Sequence, residues 1–229
     1  MWAREDELES LATGMVVAGD FKVATDVVLF TAREEDLAVL LVRRPRPPFD
    51  GCWALPGGLL AVDEPLEAAA RRWLDEASGL RKLYVEQLYT FGRPDRDPRG
   101  RVLSVAHLAL LRWQSRATLP SEAAWWPARA LPVLALDHGE IVQTALCRLA
   151  AKLQYSTIAL QLMPDRFTLS HLQAVYEMIL GGPLDKRNFR KRMQALRCIE
   201  PTGESWRGGN HRPARLYRIR EPGCVEIVK

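Results

Sequence analysis

The chain has 229 residues, of which 48% are hydrophobic and 26% are charged, a composition typical of a folded globular protein and not of a disordered one. This length accommodates one large domain, or a medium-sized domain and a small one. No apolar run is long enough to cross a bilayer, and the acidic N-terminus does not resemble a signal peptide. We therefore expect a cytoplasmic protein with no membrane partner.

Charge is distributed unevenly along the chain. The segment 186–220 contains eleven Lys and Arg residues but only two Glu residues, a net charge of +9. Because the whole chain has a net charge of +4, the remainder carries −5. A basic segment on an otherwise acidic protein indicates a polyanionic partner such as nucleic acid.

The first part of the sequence alternates predicted strands with amphipathic helices. Stretches rich in β-branched and aromatic residues predict strands at 21–31, 37–43, 84–92 and 102–113, the first two forming a hairpin. The proline-containing stretch 125–132 predicts a rigid connection. A helix is then expected from the cap Asp137 to about Gln154, because apolar residues recur there at helical spacing. We place the domain boundary at its end, which gives domains 1–154 and 155–229.

The stretch 57–80 predicts a turn, an acidic loop and a helix. Pro65 suits the first helical turn, and Gly79 suits the left-handed position just past the helix end. The spacing resembles the Nudix box, Gly-x5-Glu-x7-Arg-Glu-U-x-Glu-Glu-x-Gly-U, in which U is aliphatic. The matching positions are Gly58, Glu64, Arg72, Leu74, Glu76, Gly79 and Leu80. The resemblance implies that the first domain is an α/β Nudix-like sandwich.

Two positions depart from the Nudix box, because Trp73 and Ala77 stand where the family has glutamates. In Nudix hydrolases this segment holds a divalent metal against a nucleoside diphosphate, and magnesium prefers oxygen ligands. Positions 73, 76 and 77 share one helix face, on which Glu76 is the only carboxylate. We therefore predict no catalytic residue and no metal site. Glu76 is either a weak residual metal contact or the partner of a nearby arginine.

The second part of the sequence changes to short helices. Thr168 is a candidate N-cap for a helix with one apolar face, which the Gly-Gly-Pro sequence at 181–183 ends. Asp185 then caps a second helix over 186–196. Its inward apolar stripe consists of Phe189, Met193 and Leu196. Two helices joined by a tight glycine turn predict a helix-turn-helix unit.

The outer face of the second tail helix is polar and basic. Cationic side chains displace counterions from phosphates, and arginine, asparagine and glutamine read base edges. Two short strands, 199–202 and 214–219, would enclose a basic wing. The predicted DNA-binding residues are Lys186, Arg187, Asn188, Arg190, Lys191 and Gln194 on the helix and Asn210, His211 and Arg212 in the wing. The alternative is a solvated basic surface without a partner.

The combination of an altered Nudix box with a winged helix resembles the Nudix-related transcriptional regulator (NrtR) family. The specific segments are the run 184–192, which contains Asp-Lys-Arg-Asn-Phe-Arg at 185–190, and Gly-Asn-His-Arg-Pro-Ala at 209–214. The resemblance implies a homodimeric bacterial repressor of NAD biosynthesis or salvage genes, although some relatives regulate sugar-use genes. It also implies that double-stranded operator DNA is released by ADP-ribose or a related nucleotide, with no cofactor required.

The predicted nucleotide pocket combines arginines, glycines and one aromatic side chain near the box. Arginine binds diphosphate oxygens in a bidentate manner, and the backbone at glycine approaches a ligand closely. The predicted ligand-binding residues are Arg43, Arg44, Trp53, Gly57, Gly58, Glu76, Arg96 and Arg99. For each arginine, a position in a solvated loop is an equal alternative. His107, His138 and His171 are expected to be structural.

Two other functions stay open on the sequence alone. One is a Nudix-type nucleoside diphosphate pyrophosphohydrolase, acting for example on ADP-ribose, with an accessory DNA-binding tail; it would need a relocated metal site. The other is an RNA-binding or scaffold protein. The tail lacks the aromatic stacking surface expected for single strands, which disfavours RNA.

Overall fold

The computed structural model describes residues 21–33, 36–81, 83–113, 119–206, 213–221, 225 and 227. Within these ranges the main sheet contains seven strands: β1 (Lys22–Arg33), β2 (Asp36–Arg43), β3 (Trp53–Ala54), β4 (Gly57–Leu59), β5 (Tyr84–Phe91), β6 (Val102–Leu111) and β7 (Ala123–Pro127). The helices are α1 (Leu66–Ser78), α2 (His138–Tyr155), a 3-10 helix (Ile158–Leu162), α3 (Leu169–Leu180) and α4 (Lys186–Ala195). A two-stranded sheet follows, formed by β8 (Ile199–Trp206) and β9 (Ala214–Ile219).

The main sheet is mixed, with the strand order β3-β2-β1-β6-β5. β1 runs parallel to β6 and antiparallel to β2, so the predicted hairpin is confirmed. The short strand β4 also pairs with β1, and β7 pairs with β2. This topology places the glycine turn of the box directly against the central strand.

Helices cover both faces of the main sheet. Side chains alternate along β1, so Val27 and Leu29 pack towards Leu74 of α1, whereas Val28 and Phe30 pack on the face covered by α2. All five side chains are fully or almost fully buried. The predicted α/β sandwich is therefore confirmed.

The tail packs directly onto the sandwich. The core beneath α2 continues through the 3-10 helix into α3 and α4, where Phe189 and Met193 are buried. The backbone N–H of Trp113 donates to the carbonyl of Leu162 across 2.6 Å. The predicted boundary between residues 154 and 155 falls in the last turn of α2, and apolar packing continues across it. The division into two domains stays a prediction.

Three local expectations differ from the structure. The predicted rigid connection at 125–132 includes strand β7, in which Trp126 pairs with Val39. Pro127 is tolerated there because it ends an edge strand. Asp137 precedes α2 but its side chain makes no capping hydrogen bond, since both of its carboxylate oxygens accept from Arg96. The short 3-10 helix was not predicted.

The other predicted helix ends are confirmed. Gly79 has a φ of 67° and closes α1 in the left-handed conformation. Thr168 accepts from the N–H of His171 at the start of α3, and Asp185 accepts from the N–H of Asn188 at the start of α4. Across the described ranges, no helix is both long and apolar enough to span a membrane. The predicted wing residues Asn210, His211 and Arg212 lie outside the described residues.

Candidate nucleotide pocket and DNA interface

Both box glycines lie against bulky neighbours. Gly57 pairs with Asp26 of β1, and a Cβ atom at Gly57 would lie 2.4 Å from Asp26 Oδ1. A Cβ atom at Gly58 would lie 2.4 Å from Cζ2 of Trp73. Because such approaches are too short for real carbon atoms, both positions require glycine. The backbone of β4 is thus fixed between the central strand and α1.

Trp73 fills space beside the box turn at a position where the Nudix box has a glutamate. The guanidinium of Arg72 lies 4.3 Å from its ring centroid, a cation–π contact. Its Nε1–H is buried and has no hydrogen-bond partner within the described part of the chain. Buried donors in native proteins are usually satisfied. Within the described residues, the indole of Trp73 is thus held by packing and by the contact with Arg72.

The carboxylates of the box are engaged by arginines. Arg72 binds both oxygens of Glu64 at 2.7 Å and Glu76 Oε1 at 3.3 Å. The hydrogen bond from Arg72 lowers the pKa of Glu64, and Glu64 in turn raises the pKa of Arg72. Asp75 is bound by Arg81 at 3.0 Å. Glu64 and Arg72 hold the loop to the helix, and Glu76 is an arginine partner.

These residues do not fit a divalent metal. Ala77 is only 7% exposed and packs into the core between α1 and the sheet, so the position faces inward. Trp73 contributes no oxygen, and Glu76 already contacts Arg72. In the described residues, no group of three or more His, Cys, Asp or Glu side chains is arranged to hold a metal ion. We derive no metal-dependent step from this box.

Arg96 lies inside the protein, with 1% of its side chain exposed, and its predicted contact with a ligand stays a prediction. Its Nε and Nη2 atoms donate to the two oxygens of Asp137 at 2.8 and 2.6 Å, and Nη2 lies 3.4 Å from Asp26 Oδ2. Burial opposes the charged form, but Asp137 and Asp26 outweigh it and raise the pKa of Arg96. A ligand would have to displace Asp137 to reach this guanidinium.

The other predicted pocket arginines are more accessible. Arg99 binds Asp97 through two hydrogen bonds of 2.9 and 2.6 Å, while 47% of its side chain is exposed. The Arg99 hydrogen bond holds the pKa of Asp97 below its usual range. Arg43 pairs with Trp53 in the sheet, and its guanidinium carbon lies 4.5 Å from the centroid of the Trp53 ring. Arg44 donates to the carbonyl of Pro48 and neighbours this pair.

The second candidate site is the outer surface of α4. Phe189 contacts Tyr176 of α3 edge to face at 5.1 Å and anchors the inner side of α4. All six helix residues predicted to bind DNA are exposed: Lys186, Arg187, Asn188, Arg190, Lys191 and Gln194. Within the described ranges, none of their side chains forms an ion pair with the protein. Their charges are therefore available to a partner.

A cleft of about 410 Å³ extends this surface between α4, the start of α3 and β9. Arg190 and Gln194 line one wall, and Ser170 and Arg215 contribute to the others. No carboxylate is among the lining residues, so the cleft suits an anion. The sequence prediction missed Ser170 and Arg215. Arg215 could have been found from the sequence, because it lies in a predicted wing strand whose side chains alternate between the two faces.

Comparison with known proteins assigns both halves of the chain. Residues 20–145 match the NUDIX domain, and residues 159–219 match the NrtR DNA-binding winged helix domain. The chain belongs to the NrtR family. The family and fold predicted from the sequence are confirmed.

Relatives of this NrtR-family chain include a repressor and an enzyme. The chain is 38% identical over 204 residues to the ADPR responsive transcriptional repressor NtrR of Acinetobacter baylyi, covering 86% of this chain and 81% of that protein. It is 37% identical over 123 residues to the ADP-ribose pyrophosphatase of Methanocaldococcus jannaschii, covering 53% of this chain and 70% of the enzyme.

Two structures of Shewanella oneidensis NrtR resemble this NrtR-family fold. The complex with a 27mer DNA has a TM-score of 0.78 at 36% identity and covers 86% of this chain and 93% of its own. The NUDIX domain bound to ADP ribose has a TM-score of 0.52 at 37% identity and covers 62% of this chain and 98% of its own. Both halves of this chain thus have a structural counterpart, while the individual site residues stay predictions.

Proposed function

We propose that the protein is a bacterial transcriptional repressor that binds double-stranded operator DNA through α4 and releases it when ADP-ribose or a related nucleotide binds the Nudix half. The observation that carries this proposal is a set of cations on the outer face of a helix-turn-helix unit that form no ion pair among the described residues. The family and the DNA-bound relative support it. By the same resemblance, the regulated genes belong to NAD biosynthesis or salvage.

On the DNA side, the charges have separate roles. Lys186 and Lys191 supply positive charge that releases counterions from phosphates, and this contribution weakens as salt rises. Arg187, Asn188 and Gln194 carry the donors and acceptors that distinguish base edges in the major groove. The cleft beside Arg190 and Arg215 would hold the DNA backbone. Such units usually read paired half-sites, so we propose that the repressor acts as a homodimer in the cytoplasm.

On the nucleotide side, we place the ligand beside β4 and the loop after β2. Arg43, Arg44 and Arg99 are the accessible cations, and the stacked Trp53 offers an aromatic surface. Gly57, Gly58 and Glu76 border the box turn, while Arg96 supports it from inside. Because the box does not fit a metal, we expect ADP-ribose to bind equally well with magnesium and with EDTA in isothermal titration calorimetry. A strict requirement for magnesium would contradict this pocket.

The experiment that tests the proposal is a gel shift with DNA from upstream of its own gene neighbourhood, with and without ADP-ribose. The proposal predicts a sequence-specific, salt-sensitive complex that ADP-ribose dissolves. A specific complex that ADP-ribose leaves intact would contradict the proposed effector but keep the DNA-binding role. The absence of any specific complex would contradict the repressor itself.

A second candidate function is hydrolysis of ADP-ribose, favoured by the similarity of the Nudix half to the Methanocaldococcus enzyme. The arrangement at Trp73, Ala77 and Glu76 argues against it, because Glu76 alone supplies a carboxylate and that group contacts Arg72. The two functions are separated by a turnover assay with magnesium. Measurable hydrolysis by the unaltered protein would favour the enzyme.

A further inference from the structure

Helix α2 connects the two candidate sites. Its first residue, His138, lies beside the nucleotide box, and its last turn contacts the recognition helix α4. An α-helix rises 1.5 Å per residue, so the 18 residues of α2 span about 27 Å. One rigid element therefore reaches from one site to the other.

The N-terminal end of α2 is bonded to the box through two side chains. The backbone N–H of Leu55, two residues before Gly57, donates to Nδ1 of His138 across 2.9 Å. Asp137 shares the guanidinium of Arg96 with Asp26, the residue packed against Gly57. Because these contacts are buried and leave no space for an added methyl group at Gly57, the box turn and the first turn of α2 form one tightly packed unit.

The C-terminal end of α2 is capped by the recognition helix. The last four carbonyls of a helix have no partner within that helix. In α2, the carbonyl of Lys152 accepts from the N–H and the hydroxyl of Ser156, at 2.9 and 2.7 Å. The next two carbonyls, of Leu153 and Gln154, accept from Nη2 of Arg192, at 2.9 and 3.0 Å. Arg192 thus attaches α4 to the end of α2.

Arg192 differs from the other charged residues of α4. Lys186, Arg187, Arg190 and Lys191 have no hydrogen bond to the protein within the described ranges, whereas the guanidinium of Arg192 is bonded to two main-chain oxygens. Arg192 precedes the buried Met193 in sequence and, although exposed itself, reaches the main chain of α2. Its charge also stabilises the helix end it caps, since a cation favours a helix C-terminus.

We propose that Arg192 is a positioning residue that couples the nucleotide pocket to the recognition helix through α2, and not a DNA contact. This proposal rests on the proposed function. Ligand binding beside β4 moves the start of α2, and the Arg192 contacts carry that movement to α4. Nucleotide and DNA then favour different positions of the unit formed by α2 and α4. This difference is what a reciprocal coupling between two sites requires.

The test compares the release factor, which is the operator dissociation constant with saturating ADP-ribose divided by the constant without it. For the unaltered protein we expect a factor of about ten or more, in the usual range of coupling between sites. Arg192→Met should reduce the factor to about 2 or less while ADP-ribose binding, measured by calorimetry, is retained. Arg192→Lys keeps a donor for one carbonyl and should give an intermediate factor.

Arg190→Met is the matched control, because it removes one charge from the outer face of the same helix. It should weaken operator binding equally with and without ADP-ribose, so its release factor stays that of the unaltered protein. If Arg192→Met gives this same pattern, Arg192 is a phosphate contact and the proposal is wrong. If the unaltered protein itself shows no release, the proposed function fails instead.

A measurement on the unaltered protein covers the case in which Arg192→Met does not fold. Hydrogen–deuterium exchange of the full chain, followed as ADP-ribose is added without DNA, should change in residues 186–196. Unchanged exchange there, together with changed exchange around 55–60, would show ligand binding without transmission and would overturn the proposal.

Discussion

The box helix α1 and the recognition helix α4 each contain five charged residues but use them differently. In α1 every one is in an ion pair: Glu67 with Arg71, Asp75 with Arg81, and Arg72 with Glu64 and Glu76. In α4 no ion pair forms within the described part of the chain. One of its five cations, Arg192, caps carbonyls, and the other four face solvent.

The comparison shows that charged side chains serve different purposes in the two helices. Charges neutralised by their own neighbours hold a loop and a helix together, as Arg72 does. Charges left without partners on a helix that is anchored from behind attract an external polyanion. The same contrast separates Arg96, which is buried between two carboxylates, from Arg190, which lines an open cleft.

The largest expected effect concerns the internally paired charges. Arg96→Met leaves Asp137 and Asp26 buried without their cation, and we expect it to lower the free energy of unfolding by about 3–5 kcal/mol. Arg71→Met is the control, since it breaks only exposed contacts, the pair with Glu67 and a 3.3 Å hydrogen bond to the carbonyl of Leu83, and should cost about 0.5 kcal/mol or less. Urea denaturation measures both. Equal losses of unfolding free energy in the two variants would show that the buried pairs of Arg96 stabilise the protein no more than the exposed pair of Arg71.

The unpaired charges of α4 provide the converse test. Removing three of the four together, as Arg187→Met, Arg190→Met and Lys191→Met, should weaken operator binding about 100-fold or more and flatten its salt dependence. Thermal stability should change little, because none of the three bonds to the protein in the described ranges. Fluorescence anisotropy at several salt concentrations measures the effect. Unchanged affinity would show that the basic face of α4 is a solvated surface and does not contact DNA.

A smaller effect is expected from pH, through His138. Burial is the main cause that lowers the pKa of His138, so the folded protein keeps it neutral while the unfolded chain titrates near 6.5. The folded state then binds fewer protons, and the free energy of unfolding falls as pH drops below about 6.5, by up to about 1.4 kcal/mol per pH unit. The charged groups that also act on it are Asp26, Asp137, Arg96 and Arg44.

His138→Asn is the variant that isolates this contribution. The asparagine oxygen can still accept from the N–H of Leu55, but the side chain does not titrate. The difference in unfolding free energy between the two proteins should therefore narrow or reverse as pH falls from 7 to 5. A constant difference over that range would exclude His138 as the source.

The smallest expected effect is a gain of hydrolytic activity at the box. Trp73→Glu with Ala77→Glu restores the carboxylates of the Nudix pattern and should raise magnesium-dependent hydrolysis of ADP-ribose from near zero to a low rate. The gain is limited because Ala77 faces the core, where a carboxylate is costly. The single change Trp73→Glu is the control. High turnover by the unaltered protein would overturn the comparison between the two helices.

Local features of the fold were predictable because their signals lie within a few residues. Gly79 closes α1, and Thr168 and Asp185 cap α3 and α4, each through contacts inside one helical turn. The degenerate box was equally readable, since fixed spacing places Trp73 and Ala77 at the carboxylate positions. Such features need no knowledge of the rest of the chain.

Contacts between distant segments were not predictable. Arg96 reads as a loop arginine until the fold places it beside Asp137, 41 residues later. Arg192 reads as one more basic residue of α4, although its partners lie 39 and 38 residues earlier at the end of α2. Strand β7 was missed because the prolines of the stretch 125–132, one of them at the end of the strand, suggested a connection, whereas pairing with β2 determines its structure. The spacing of residues in the sequence does not show which charged side chains come into contact in the fold.

The measurement that tests the central claim most directly is a binding cycle between operator and ADP-ribose. The affinity of each for the full-length protein is measured in the absence and presence of the other. If the Nudix pocket and α4 are coupled, ADP-ribose weakens operator binding by the same factor by which operator weakens ADP-ribose binding. Two affinities that are each indifferent to the other ligand would contradict a nucleotide-released repressor.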